Sequence, residues 1–256
     1  MLEARSLTLR RAGRTVLAGV DCALMPGRVT AIVGPNGAGK SSLLLALAGL
    51  LPPAAGTVTL EGRPLDRLAP AERARDIGLL PQQPELHWDI DVETLVGLGR
   101  LPHRGRGPAT PADRAAIAAA LAATDTSAFA KRPARQLSGG ERARVLLARV
   151  LAGEPRMLLA DEPLANLDPA WQLDMLARLR AVADRGAAVA VVLHDLTHAA
   201  RIADAALLLK EGRALAAGPA DEVLAPRPLS AAFGVVITQA HAPDGSRLLL
   251  PTARTG

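Results

Sequence analysis

Apolar and polar positions alternate in two different ways along the chain. Short apolar runs bounded by glycine, proline or charge recur at 29–33, 77–80, 157–160, 188–193 and 205–209. Each predicts a strand buried on both faces. Residues 2–10 alternate instead, with Leu7 and Leu9 set against Thr8 and Arg10, which predicts a half-buried strand. A second strand is predicted at 16–25 after the Gly13-Arg14 turn signal, and a short one at 57–60 between Gly56 and Glu61-Gly62. Helices are predicted at 42–48, 70–75 and 171–185.

From about 86 to 152 the strand signal is lost. Residues 91–98 and 111–123 predict helices, joined by a basic, Pro/Gly-rich connection at 100–108. A third helix, running to Leu151, is predicted to start at Ser138-Gly139-Gly140-Glu141 with Ser138 as its N-cap. Alternating strands and helices elsewhere predict an α/β fold with a mainly parallel sheet. The expected organisation is a lobe at about 1–85 and 153–225, with a helical subdomain at about 86–152 inserted into it. The lobe begins with an antiparallel β subdomain. Residues 226–256 read as an appendage whose structure the pattern leaves open.

Composition narrows the class. Of 256 residues, 49% are hydrophobic but only 2% aromatic, and Tyr is absent, so small aliphatic side chains must fill the interior. The single Cys22 excludes an internal disulfide framework and suits a reducing compartment. Residues 1–5 lack a signal-peptide apolar core, and apolar stretches such as 187–193 are too short to span a bilayer, so a soluble chain is expected. The net charge of +5 reflects an arginine bias. No dense basic run is interleaved with aromatics, so nucleic acid is not an expected partner.

Gly34-Pro35-Asn36-Gly37-Ala38-Gly39-Lys40-Ser41 fits the phosphate-loop pattern G-x-x-x-x-G-K-S/T, and it lies between a predicted strand and a predicted helix. In that context backbone N–H groups and a helix N-terminus surround phosphate oxygens. Lys40 would reach the outer phosphates, and Ser41 would hold Mg²⁺. Among 30 basic residues only Lys40, Lys131 and Lys210 are lysines, so a compact ammonium stands where one is needed.

The run at 157–160 delivers Asp161 and Glu162 at its C-terminal end, where open α/β sheets bind ligands. Asp161 would bind Mg²⁺ and Glu162 would polarise an attacking water. Ser138-Gly139-Gly140 offers a second anion site, which one nucleotide does not obviously need; an ordinary capped helix is the other reading. His194-Asp195-Leu196-Thr197-His198 resembles the zinc pattern H-E-x-x-H with Asp for Glu, but a third ligand is not evident, and zinc is not expected. His194 follows a buried strand and either meets a γ-phosphate or is an ordinary strand-end histidine.

Together these residues resemble the ATP-binding subunit of an ABC transporter over residues 1–225, within a P-loop NTPase (RecA-like) core. The resemblance makes Gly34 to Ser41 the Walker A motif, Gln82 the Q-loop, and Leu137-Ser138-Gly139-Gly140-Glu141 the signature. Asp161 ends Walker B, Glu162 is the catalytic carboxylate, Ala165-Asn166-Leu167-Asp168 is the D-loop, and His194 is the switch histidine.

It implies ATP and Mg²⁺ as cofactors, with Ser41, Gln82 and Asp161 around the metal, and with Lys40, Glu162 and His194 catalytic. The nucleotide would be bound by Gly34 to Ser42, with Gln82, Ser138, Gly139, Gly140, Glu141 and Asp168. Arg11 stands where the family usually has an aromatic residue on the adenine. The signature ends in Glu141 where Gln is more frequent. The resemblance further implies a head-to-tail homodimer with ATP sandwiched between copies, an integral membrane permease and, indirectly, a substrate-binding protein. The expected location is the cytoplasmic face of the bacterial inner membrane.

Gly99-Arg100-Leu101-Pro102-His103, Glu141 and Phe233-Gly234-Val235 resemble importers of iron–siderophore, haem or cobalamin. Gln82 and Trp88 are expected to face the permease, although Trp88 reads equally as a core aromatic. The alternatives are another ABC system, such as an exporter or a lipid or lipoprotein extractor, and a non-transport member of the family.

Overall fold

The computed structural model describes residues 1–82, 90–104 and 107–254. Strands β1 (Leu2–Arg11) and β2 (Arg14–Leu24) form an antiparallel hairpin. Strand β3 (Val29–Val33) is buried at every position and feeds the phosphate loop and α1 (Lys40–Leu47). Strands β4 (Ala55–Leu60) and β5 (Arg63–Pro64) complete a four-stranded antiparallel sheet in the order β2-β1-β4-β5. Helix α2 (Pro70–Asp76) then leads into β6 (Ile77–Leu80).

The inserted region contains α3 (Val92–Gly97), α4 (Leu101–Arg104), α5 (Pro111–Ala123) and α6 (Gly139–Leu151). The helix caps follow the sequence. Asp91 accepts from the Thr94 amide at 2.7 Å, and Thr110 with Asp113 forms a reciprocal capping box. The segment at 100–108, expected as a basic connection, is partly helical. Arg100 is buried there between Asp113 (2.9 Å), Glu154 (2.6 Å) and the Ala152 carbonyl (2.9 Å). The basic, Pro/Gly-rich composition does not show where a guanidinium finds its partners. Trp88 and the start of the helical lobe at 86–89 lie outside the described residues.

The chain returns to the sheet with β7 (Met157–Asp161), α7 (Pro169–Asp184), β8 (Ala188–Val192), α8 (Leu196–Ile202), β9 (Ala205–Lys210) and β10 (Arg213–Pro219). The six-stranded order is β10-β9-β3-β8-β7-β6. Strands β6, β7, β8, β3 and β9 are parallel, and β10 adds an antiparallel edge. Strand β10 was not legible in the sequence, because its mostly exposed residues carry no apolar alternation and backbone pairing to β9 holds it.

The apolar runs read as they do because both sheet faces are covered. Leu158 and Ala160 of β7, with Val189 and Val191 of β8, face a core shared with α6 and α7. Met157 and Leu159, with Ala188, Ala190 and Val192, face a second core shared with α1 and the antiparallel sheet. Val92, Leu95, Val96, Ile117 and Leu121 form a third core in the helical lobe. Helix α6 serves two of these. Leu146, Leu147 and Val150 enter the main core, while Val145 and Ala148 enter the helical one.

The C-terminal segment is more integrated than an appendage. It forms α9 (Ala220–Val223), α10 (Pro226–Phe233) and a hairpin of β11 (Val235–His241) and β12 (Arg247–Arg254). Leu229, Ala232, Ile237 and Leu249 are buried in the main core. Among the described residues, no helix is long and apolar enough to cross a membrane.

Candidate active site

The site grows from the carboxyl ends of parallel strands. After β3 the chain turns at Gly34 with φ 150°, and a Cβ there would lie 2.1 Å from the Leu209 carbonyl oxygen of β9, so only glycine fits. Helix α1 begins at Lys40. The Lys40 side chain is only 6% exposed, and its Nζ donates to the carbonyls of Gly34 (2.8 Å) and Pro35 (3.0 Å). The ammonium therefore sits inside the curve of the loop. Burial lowers its pKa from the ordinary lysine value, while Glu162 and Asp161 act in the opposite direction. Ser42 and Ala38 are buried, whereas Asn36 and Gly37 are exposed at the loop's crest.

Strand register brings the remaining groups together. Leu80 of β6 pairs with Ala160 of β7, and Asp161 pairs with Val192 of β8. Residues just past three adjacent strand ends therefore emerge at one level, which is where open parallel sheets bind ligands. Gln82 leaves β6, Glu162 leaves β7 and His194 leaves β8. Gln82 Nε2 donates to Glu162 Oε2, and His194 Nε2 lies 2.5 Å from Glu162 Oε1. Both oxygens of one carboxylate are thus engaged from neighbouring strands. Glu162 is held with φ 49°, a left-handed conformation costly for a non-glycine residue.

One position earlier, Asp161 Oδ1 accepts from Ser41 Oγ at 3.1 Å. Burial raises the Asp161 pKa above the usual aspartate value. The Ser41 hydrogen bond, Lys40 and His194 pull it down, and Glu162 pushes it up. Among the described residues, no group of three or more His, Cys, Asp and Glu side chains forms a metal cage. Ser41 and Asp161 instead place two hard oxygen donors side by side. That suits Mg²⁺, which takes few protein ligands and completes its shell with phosphate and water.

The signature turn stands apart, on the helical lobe. Ser138 caps α6 through the Glu141 amide at 3.4 Å, and Glu141 returns the bond to the Ser138 amide at 2.8 Å. That backbone hydrogen bond, foremost, lowers the Glu141 pKa. Arg132 adds an ion pair at 3.1 Å. Gly139 is exposed with open space over its Cα, as an anion-binding backbone requires. Gly140 faces the Trp171 ring, and a Cβ there would lie 2.5 Å from it.

Trp171 also stacks on the buried Arg144 of α6, whose Cζ lies 4.5 Å from the ring centroid. This link between α6 and α7 was missed in the sequence. The rarity of tryptophan in the chain was the available signal. Asp168 caps α7, accepting from the Trp171 amide at 3.1 Å. Arg11 is exposed at the tip of the β1–β2 hairpin. A cavity of about 340 Å³ between the lobes is lined by Gln82, Gly139, Arg142, Ala165 and Asn166.

Of the residues singled out in the sequence, the structure brings together Lys40, Ser41, Asp161, Glu162, Gln82 and His194. It does not bring Ser138, Asp168 or Arg11 to that cluster. A glycine-rich loop around a buried lysine, two strands away from an acid pair on the same sheet edge, defines a phosphate-loop nucleotide hydrolase. The match narrows further. The model of the ABC transporter family aligns with residues 17–165, more than half of the chain, and the chain belongs to that family as an ATP-binding ATPase.

The hemin import ATP-binding protein HmuV of Pseudomonas aeruginosa is 48% identical over 257 aligned residues, spanning 98% of this chain and 99% of that protein. Among solved structures, a transporter assigned to the metal-chelate type, in an inward-facing conformation, matches with a TM-score of 0.86 at 26% identity, covering 99% of this chain and 98% of that one. A bacterial ABC transporter cassette solved in dimeric form matches with a TM-score of 0.74 at 27% identity, covering 86% of this chain and 99% of that one.

Proposed function

We propose that this subunit hydrolyses ATP to drive haem, or a related iron chelate, inward through a separate membrane permease. The observation that carries the mechanism is the carboxylate of Glu162, flanked by Gln82 and His194 on the same strand edge as Lys40 and Ser41. The cargo class is supported by the hemin import relative and by the metal-chelate transporter, both similar along nearly the whole chain.

In this mechanism Lys40 exchanges its two carbonyl partners for phosphate oxygens. The loop amides and the start of α1 bind the remaining phosphate charge, with Ser42 behind them. Ser41, Asp161 and Gln82 would hold Mg²⁺, which would supply charge neutralisation at the terminal phosphates. Glu162 accepts a proton from the attacking water, and His194 holds the carboxylate and the γ-phosphate in register. Arg11 stacks its guanidinium on the adenine.

The Ser138-Gly139-Gly140-Glu141 turn, exposed at Ser138 and Gly139, is a second anion site beyond the one the phosphate loop provides. It completes the site of a second copy arranged head to tail, with Asp168 at the seam. ATP binding thus closes two subunits, and hydrolysis releases them against the permease. A substrate-binding protein delivers the cargo on the other side of the membrane, and the subunit works at the cytoplasmic face.

The test is haemin uptake into proteoliposomes carrying the permease, with the wild-type subunit or Glu162→Gln. Uptake with wild type, and its loss by roughly 100-fold or more in the variant with ATP binding retained, is expected. ATP hydrolysis without stimulation or uptake by haemin, cobalamin or ferric siderophore would reject the cargo class.

A further inference from the structure

We propose that the C-terminal hairpin braces the turn carrying His194, with Thr197 as the positioning residue that transmits the brace. The inference rests on His194 acting at Glu162. His194 lies between β8 and α8, one residue before the Asp195 cap, whose side chain accepts from the His198 amide at 2.9 Å. Helix α8 has seven residues, too few to fix its own direction. Its orientation therefore comes from what packs against it.

Two surfaces do so. Leu196, Ala199 and Ile202 are buried against the main core. On the hairpin side, Thr197 Oγ1 accepts from the Leu249 amide at 3.1 Å and approaches the Leu249 carbonyl, as donor, at 3.5 Å. One hydroxyl thus answers both main-chain groups of a residue in β12. At the far end of α8, Arg201 reaches Ser246 (3.3 Å) and Asp244 (3.7 Å) in the hairpin turn.

The hairpin is itself anchored. A two-stranded hairpin alone is marginal in water. Ile237 and Leu249 are buried in the main core, and the Ile237 amide donates to Ser230 Oγ of α10 at 2.9 Å. Between hairpin and turn lies a cavity of about 410 Å³ lined by His194, Leu196, Thr197, Phe233, Ile237 and Leu250. Packing on that side is therefore incomplete next to His194, although Leu196, Ile237 and Leu249 share the main core. The hydrogen-bonded strap at Thr197 joins hairpin and helix beside this cavity, so loosening it lets the histidine drift from Glu162.

The experiment compares Thr197→Val, Thr197→Ser and His194→Ala in the full chain, reading kcat and KM for ATP well below the melting temperature. Valine keeps the shape of threonine and removes the hydroxyl. The expected result is a kcat roughly tenfold lower in Thr197→Val, because a misplacement near 1 Å at a reacting centre costs up to about 100-fold. KM is expected to be unchanged and Thr197→Ser to restore kcat, since the phosphate loop is untouched. Arg201→Ala, which cuts only the exposed outer tether, is expected to lower kcat roughly twofold and serves if the valine variant does not fold. A wild-type kcat in Thr197→Val or, if that variant does not fold, in Arg201→Ala, with His194→Ala inactive, would overturn the brace and leave the site intact. Full turnover by His194→Ala would instead remove the reading on which the brace depends.

Discussion

The phosphate-loop edge and the signature turn are built on opposite principles. At the loop edge, three adjacent strand ends, set level by parallel register, converge on one carboxylate, and a buried lysine lies inside the neighbouring loop. The groups there are crowded, and burial lowers the Lys40 pKa and raises that of Asp161, each against the pull of the other's charge. The signature turn is exposed at Ser138 and Gly139, satisfied by its own capping box, and borrows rigidity from α6. One region gathers a buried lysine, two hard oxygen donors and a flanked carboxylate at one sheet edge. The other presents an open backbone at Gly139, on the wall of the cavity that Gln82 also lines. The contrast is what the proposed head-to-tail site requires, and α6, rooted in both cores, ties the signature turn to the main lobe.

The largest effect expected from breaking this contrast is at Lys40. Lys40→Ala is expected to weaken ATP binding by roughly tenfold or more, because a buried charge-assisted contact to phosphate is removed. Ser138→Arg should leave ATP binding by a single subunit near wild type and abolish turnover. Equilibrium binding of a fluorescent ATP analogue and a phosphate-release assay separate the two. Equal loss of binding in both variants would erase the distinction between the halves.

A smaller effect is expected where the halves are joined. Arg144→Met removes the stack on Trp171 and the contact of Arg144 with Asp125 at 3.1 Å. Thermal melts should show a loss of about 1–2 kcal/mol. Turnover should fall roughly threefold with ATP affinity unchanged, if α6 positions the signature turn at the distance catalysis needs. A pure stability loss with full turnover would mean that the stack does not orient the turn.

The smallest effect concerns acidity. The Asp161 pKa is raised in the folded protein, chiefly by burial, so the folded state binds its proton more tightly than the unfolded one. Its stability contribution is full below the unfolded value of about 3.9 and is lost as pH rises through the folded value. At neutral pH the ionised carboxylate therefore destabilises the nucleotide-free subunit. Asp161→Asn should melt higher than wild type at pH 7 and show a smaller difference near pH 4, while turnover is abolished. A lower melting temperature at pH 7 would show that the attraction of Lys40 and His194, with the Ser41 hydrogen bond, outweighs burial.

Much of this was legible in the chain. The loop from Gly34 to Ser41 was readable because phosphate chemistry needs those residue types at fixed spacing. The buried strands were readable because sheets covered on both faces need continuous apolar runs. The convergence of Gln82 and His194 on Glu162 is different, since it follows from interstrand register, which local sequence does not carry. Arg100 read as part of a basic connection because its partners Asp113 and Glu154 lie 13 and 54 residues away. The C-terminal hairpin read as peripheral because Ile237 and Leu249 sit among exposed neighbours and are buried only by tertiary packing.

The head-to-tail arrangement is tested most directly by sedimentation of purified Glu162→Gln with and without ATP and magnesium. A monomer without nucleotide that becomes a stable dimer with it, and that fails to form when Ser138→Arg is added, is the expected result. A variant that binds ATP yet remains monomeric, while the wild-type subunit turns over at full rate under the same dilution, would contradict the shared site.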